Sequence, residues 1–230
     1  MKMKVAVIDN GVDEELVDCF QSVDFSDSDS SLSETEDIEK YGHGTVCAAI
    51  IKKYAPDAEI VNLKVMSTSA KHCKIECVTK AIAYCIHNSI KLISLSMGTR
   101  SIVETALLYN SIKEAVCNHT MIVAPGSRDL KVYPAAFDDV IYVDINDHVR
   151  DGSNRFFIEK CNNGLTAVIA SGRQNVEFRT GESYVTPNYS SFAVPVITAA
   201  LFELLKKVAD PSIAKASLFG SAIGYLNQIP

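Results

Sequence analysis

The sequence predicts an α/β fold: a three-layer, doubly wound, mostly parallel sheet with helices on both faces. Three observations point there. Short runs rich in Val, Ile and Leu recur along the chain. Most are continuous and do not alternate with polar residues, which is the pattern of strands buried on both faces. Between several of them lie stretches with apolar residues three or four apart, so strand and helix take turns. Right-handed crossovers then gather the carboxyl ends of the strands at one edge, where sites in such folds form.

In chain order, the first strand is Lys4–Asp9, which stops at a carboxylate followed by the tight-turn pair Asn10-Gly11. An apolar helical segment, Val46–Ile51, directly follows Gly42-His43-Gly44-Thr45. Ile60–Met66 is the next strand, and Ile75, Val78, Ile82 and Ile86 then step by helical intervals. Lys91–Met97 returns to strand, and Val103, Leu107, Ala115 and Val116 mark a helix after it. Met121–Ala124, Val140–Ile145 and Thr166–Ala170 are further strands. Phe192, Val196, Ala200 and Leu204 step by four and form the clearest apolar stripe in the chain. No internal repeat or linker divides the sequence, so residues 1–230 are expected to form a single domain.

Composition removes several classes of function. With 47% hydrophobic and 22% charged residues, the chain is neither disordered nor low-complexity. No apolar run approaches the ~20 residues needed to cross a bilayer. Net charge is −6, and twelve of the 28 carboxylates lie between Val5 and Glu39, where there is no Lys or Arg. No basic stripe with interleaved aromatics appears, so nucleic acid is not an expected partner, and neither is a membrane. The seven cysteines have no regular spacing and read as reduced core residues. His72, Cys73, Cys77, Cys85 and His87 cluster in sequence without a CxxC pair, and no metal site is expected of them. The amino terminus lacks a secretory cleavage pattern, so a cytoplasmic location is expected.

Three residues carry chemistry beyond packing. Asp9 is a carboxylate at a strand end, although capping the following turn would also account for it. His43 stands between two glycines at a helix start, where the backbone can approach closely. The positive end of that helix is expected to lower the imidazole pKa and favour the neutral base, while a capping role is the plainer alternative. Ser191 opens the last long helix, which is a capping position and also a place where backbone N–H groups face a developing oxyanion.

Taken in order, V-A-V-I-D-N-G, H-G-T-V-C-A and S-S-F-A-V-P resemble the subtilisin-like serine proteases, whose triad runs Asp, His, Ser along the chain. The stretches Ile60–Met66, Ile93-Ser94-Leu95-Ser96-Met97-Gly98 and Tyr133-Pro134-Ala135-Ala136 are similar to other segments of that family, so the likeness spans about residues 4 to 208. The resemblance implies a subtilisin-like fold and a serine endopeptidase working through an acyl-enzyme on a peptide or protein substrate. Asp9, His43 and Ser191 are its implied catalytic residues, Ser127 and Ser191 its oxyanion hole, and Ser96, Met97, Gly98 and Gly126 its substrate-binding segments. The 96–98 edge would pair with an extended peptide by strand addition. No cofactor is implied. Structural calcium, used elsewhere in the family, is not supported by the short loops. Nothing in the sequence bears on oligomeric state.

Two departures qualify the resemblance. Anchored on Pro195, the serine motif has Tyr189 where the family has glycine, and Ser190 is the off-by-one alternative to Ser191. The loop that usually ends in an asparagine amide reads Ala124-Pro125-Gly126-Ser127-Arg128-Asp129, so Ser127 takes the amide position, with Arg128 next to it as another donor. A slower enzyme of narrow specificity is expected, an intracellular processing protease with no propeptide ahead of Asp9. The alternative is an impaired relative that binds peptides without cutting them. A nucleotide-binding fold is excluded by the acidic turn Asp9–Asp13, which would repel phosphate. The Asp24–Glu39 segment, with seven carboxylates and five serines, is either a solvated loop or an electrostatic filter for basic substrates. The filter predicts that cleavage of a cationic peptide falls with added salt while cleavage of a neutral one does not; equal responses remove it.

Overall fold

Strand β1 (Lys4–Asp9) carries the alternation that a buried central strand can afford only between two cores. Val5 and Val7 enter one apolar cluster, Ala6 and Ile8 enter the other, and all four are fully buried. The computed structural model describes residues 2–26, 40–66, 73–149 and 151–221. After β1 come β2 (Gln21–Asp24), α1 (His43–Tyr54), β3 (Glu59–Lys64), α2 (Ile75–His87), β4 (Leu92–Leu95) and α3 (Ile102–Cys117). Then follow β5 (Met121–Pro125), β6 (Ile141–Asp144), β7 (Phe156–Lys160), β8 (Thr166–Ala170), β9 (Asn175–Glu177), β10 (Ser183–Val185), α4 (Ser190–Val208) and α5 (Pro211–Gly220).

The main sheet has eight strands in the order β2-β3-β1-β4-β5-β6-β8-β7. Every pairing is parallel except β7, which runs antiparallel along β8 at the edge. Helices α1, α4 and α5 pack into the cluster on one face, and α2 and α3 into the cluster on the other. The α/β, doubly wound, mostly parallel fold is therefore the one expected. The chain moves outward from β1 to β3 and then returns to β4 on the other flank, so strand order reverses between β1 and β4. Carboxyl ends at such a reversal form the crevice of an open α/β sheet.

Some elements differ from expectation for identifiable reasons. Strand β2, Gln-Ser-Val-Asp, is an edge strand exposed on most of its length and has no apolar run to announce it. Helix α3 turns a different face inward: Leu108, Ile112 and Ala115 are buried, whereas Val103 is 72% and Leu107 45% exposed. Helix α4 is buried around most of its first half, Phe192 to Ala199, since it lies between α1, α5 and the sheet; a single stripe understates it. The segment after Val208 forms α5, capped by Asp210, whose carboxylate accepts the N–H groups of Ser212 and Ile213 with Pro211 in the first turn. Ala214 and Leu218 return it to the core. Of the acidic Asp24–Glu39 segment only Asp24, Phe25 and Ser26 fall among the described residues; His72, Tyr225 and Leu226 fall outside them as well.

Candidate active site

The turn after β1 docks onto the first turn of α1. The Asn10 side-chain oxygen accepts the Gly44 N–H at 2.9 Å, and Thr45 Oγ1 accepts the Asp13 N–H at 2.9 Å. The approach is so close that a Cβ on Gly44 would stand 2.4 Å from the Gly11 carbonyl oxygen and 2.9 Å from Asp9 Cβ. Glycine at 44 is thus a steric requirement of this contact. Gly42, at φ 75°, precedes the helix without a side-chain cap, and His43 is its first residue.

His43 does not cap the helix. Its Nδ1 lies 3.0 and 2.9 Å from the two carboxylate oxygens of Asp9, and its Nε2 lies 3.0 Å from Ser191 Oγ. Asp9 also accepts the Asn10 N–H at 2.8 Å, so it holds the turn and the imidazole together. Ser191 is the second residue of α4, whose cap is the extended Tyr189. Extended backbone suits tyrosine as well as glycine, which accounts for the changed motif. Ser190 points elsewhere, with Oγ 3.4 Å from the Gly126 carbonyl. Three residues thus share one hydrogen-bonded chain, although 148 positions separate His43 from Ser191 alone.

A model of the subtilase family matches residues 1–218. The chain belongs to the subtilase family. It is 26% identical over 235 residues to the major intracellular serine protease of Bacillus subtilis, covering 93% of this chain and 71% of that protein. Its fold is similar to the nisin leader peptidase of Lactococcus lactis, with TM-score 0.69, 18% identity, and 94% and 81% of the two chains covered. It is similar again to the epidermin leader peptide processing serine protease of Staphylococcus aureus, with TM-score 0.72, 18% identity, and 94% and 68% covered. This subtilase is a serine-type endopeptidase.

In this subtilase His43 titrates in the opposite sense to the one expected from the helix end. Burial on its own lowers the imidazole pKa, but the Asp9 carboxylate, aided by the Cys47 sulfur, holds it well above the ordinary value of 6.5. A carboxylate at 2.9 Å outweighs a helix terminus, whose effect on a nearby charge is ~0.3–1 kcal/mol. The Phe192 ring, fully buried, lies 4.7 Å from the imidazole centroid to centroid. Phe192→Ala is expected to cost ~3–5 kcal/mol of stability, read by denaturant unfolding. A loss under 1 kcal/mol would mean the ring is not packed as described.

Cys47, one turn after His43, was read from sequence only as a core cysteine. Its sulfur stands 3.7 Å from His43 Nδ1, 3.5 Å from Ser96 Oγ and 3.8 Å from the Ser191 carbonyl oxygen. Pro195, inside α4, has no N–H to give to that carbonyl four residues back, and the thiol occupies the vacated position. The ligand atoms of Asp9, His43 and Cys47 also lie within 4.8 Å of one another, although each already has a hydrogen-bond partner.

The remaining predicted residues follow the carboxyl ends of β4 and β5. Ser96 is buried just past β4, Met97 is half-buried and Gly98 exposed. No backbone hydrogen bond joins Met97 or Gly98 to another described residue before Thr99 bridges Tyr133. Gly126 and Ser127 follow β5 beside Ser190. The Ser127 carbonyl accepts the Asn163 amide at 2.8 Å, which ties the loop down. Arg128 does not serve as a donor next to Ser191, because its guanidinium binds both carboxylate oxygens of Glu159.

Proposed function

We propose that Asp9, His43 and Ser191 are the catalytic residues of this endopeptidase and that it processes a particular peptide or precursor in the cytoplasm. Ser191 Oγ attacks the scissile carbonyl while His43 Nε2 takes its proton; His43 then returns that proton to the leaving amine, and water releases the acyl group by the reverse roles. Asp9 holds His43 in the tautomer with the proton on Nδ1 and stabilises the imidazolium. The Ser191 N–H, at the start of α4, and the Ser127 hydroxyl stabilise the oxyanion. The substrate extends along Ser96–Gly98 and Gly126 as an added strand. This chemistry uses no metal or organic cofactor.

One observation carries the reading: the unbroken hydrogen-bond chain from Asp9 through His43 to Ser191 Oγ. The leader-processing role of two structural relatives supports a dedicated substrate. An organophosphonate probe is expected to label Ser191, located by mass spectrometry of the modified peptide. A protein that binds peptides but never labels would instead be the impaired relative. A second test concerns rate. Because a hydroxyl at 127 reaches less far than an amide, Ser127→Asn is expected to raise kcat by up to ~10²-fold. An unchanged or lower kcat would remove Ser127 from the oxyanion hole.

A further inference from the structure

The β9–β10 hairpin stands outside the main sheet, yet it is fastened to all three segments that carry Asp9, His43 and Ser191. At its tip the Phe178 N–H donates to the Glu182 carbonyl at 2.8 Å and closes the turn. The Arg179 N–H then binds the Leu16 carbonyl at 3.0 Å, and its guanidinium binds the Glu14 carbonyl at 3.3 Å and the Asp18 carboxylate at 2.6 Å. Those contacts tie the hairpin to the loop that follows Asp9. At its base Thr186 Oγ1 accepts the Gln174 N–H at 2.7 Å and donates to the Gly172 carbonyl at 2.5 Å. Gly172 gives its own N–H to Asn188 Oδ1 at 3.0 Å and lies against the Tyr189 backbone with no room for a Cβ. Those contacts tie the hairpin to the residues that lead into Ser191.

The third attachment is aromatic and concerns His43. Tyr41, two residues ahead of it, is half-buried, with its ring 4.6 Å from the Phe178 ring and 5.6 Å from the Tyr184 ring, centroid to centroid. Phe178 is itself buried, and rings at these separations attract beyond the area they cover. The Lys40 ammonium lies over the Tyr41 ring at 4.7 Å and reaches Glu182 of the hairpin at 3.7 Å. No backbone hydrogen bond holds Lys40 or Tyr41 to another described residue. Past His43 the chain is tied to the turn of Asp9 through Gly44 and Thr45. Ahead of it the tie is the Tyr41 ring, since Gly42, at φ 75°, has no side chain to offer.

We propose that the β9–β10 hairpin braces the catalytic geometry, and that Tyr41, packed against Phe178 and Tyr184, is a positioning residue for His43. The proposal rests on the reading of Asp9, His43 and Ser191 as the triad. A two-stranded hairpin is marginal by itself in water, so this one can brace other segments only because it is fastened at both ends. Without the Tyr41 ring, the chain ahead of His43 turns freely about Gly42, and the imidazole leaves the line from Asp9 to Ser191 Oγ. A displacement of about 1 Å costs about 10²-fold in rate. Among the described residues, the titratable groups facing the imidazole are Asp9 from β1 and Cys47 from its own helix, while α4 presents the Ser191 hydroxyl and the Phe192 ring.

Kinetics and titration of Tyr41 variants test it. Tyr41→Ala is expected to lower kcat by about 10²-fold with KM within a few-fold of the parent, since nothing on the Ser96–Gly98 edge is removed. Tyr41→Phe takes away only the hydroxyl that the exposed Lys40 ammonium binds, and is expected to retain most of the parent kcat. Phe178→Leu is expected to lower kcat as Tyr41→Ala does, and the two combined to cost little more than either alone, because both open one contact. Asp9 holds the His43 pKa up, so an imidazole that has drifted from it titrates at lower pH. NMR titration of His43 in the Ser191→Ala protein, with and without Tyr41→Ala, reads that shift without any chemistry. Parent kcat in Tyr41→Ala, a loss that falls in KM instead, an equal loss in Tyr41→Phe, or a His43 midpoint that stays in place overturns the proposal. If Ser191→Ala abolishes activity and the midpoint does not move, only the brace fails. If Ser191→Ala keeps the parent activity and the midpoint moves, Tyr41 still positions His43 and the catalytic reading fails.

Discussion

Replacing Ser191 by alanine is expected to lower kcat by about 10⁶-fold. The reasoning follows from the shared hydrogen-bond chain. Once Oγ is gone, His43 has no proton to accept, and the contact Asp9 makes to His43 no longer acts on any reacting atom. Residues that act as one unit do not contribute independently, so His43→Ala combined with Ser191→Ala is expected to cost little more than either alone. Steady-state kinetics on one peptide, with active-site titration to exclude traces of the parent enzyme, measures both. Activity within tenfold of the parent, or losses that multiply, would mean that some other side chain performs the attack.

The next largest effect belongs to Asp9→Asn, with an expected loss in kcat of about 10⁴-fold. An amide at this position keeps the shape but can donate to Nδ1, which leaves the proton on Nε2, where Ser191 needs an acceptor. The same substitution changes the pH profile. Protonated His43 cannot take the Ser191 proton, so kcat/KM of the parent rises with pH and reaches half its plateau above 6.5, because Asp9 holds the imidazole pKa above that value. Without the carboxylate, only the lowering effect of burial remains as the larger influence, and the midpoint moves to lower pH. A midpoint that stays in place, or moves upward, would show that Asp9 does not set the charge of His43.

Much of this was legible in the linear chain, for a physical reason. Strands such as Lys4–Asp9 and Thr166–Ala170 are buried on both faces, so their apolar runs are unbroken and their limits stand in the sequence as they do in the sheet. Elements at the margins, β2 and β7, are half in water and carry a weaker pattern. The glycines around His43 were legible too, since the backbone contact at Gly44 excludes a side chain and Gly42 takes a φ of 75°. The inward face of α3 was not. Val103 and Leu107 obey helical spacing as well as Leu108 and Ile112 do, and only the partner sheet selects between them.

The amino-acid sequence by itself determined the α/β fold and the three segments that carry Asp9, His43 and Ser191, because periodicity and tight turns are local properties. The tertiary structure alone decided that those side chains share hydrogen bonds, that Cys47 fills the position left by the N–H missing from Pro195, and that Arg128 is bound to Glu159. Each of those outcomes depends on which groups meet across the sheet, and a meeting of residues dozens of positions apart leaves no period in the chain to read.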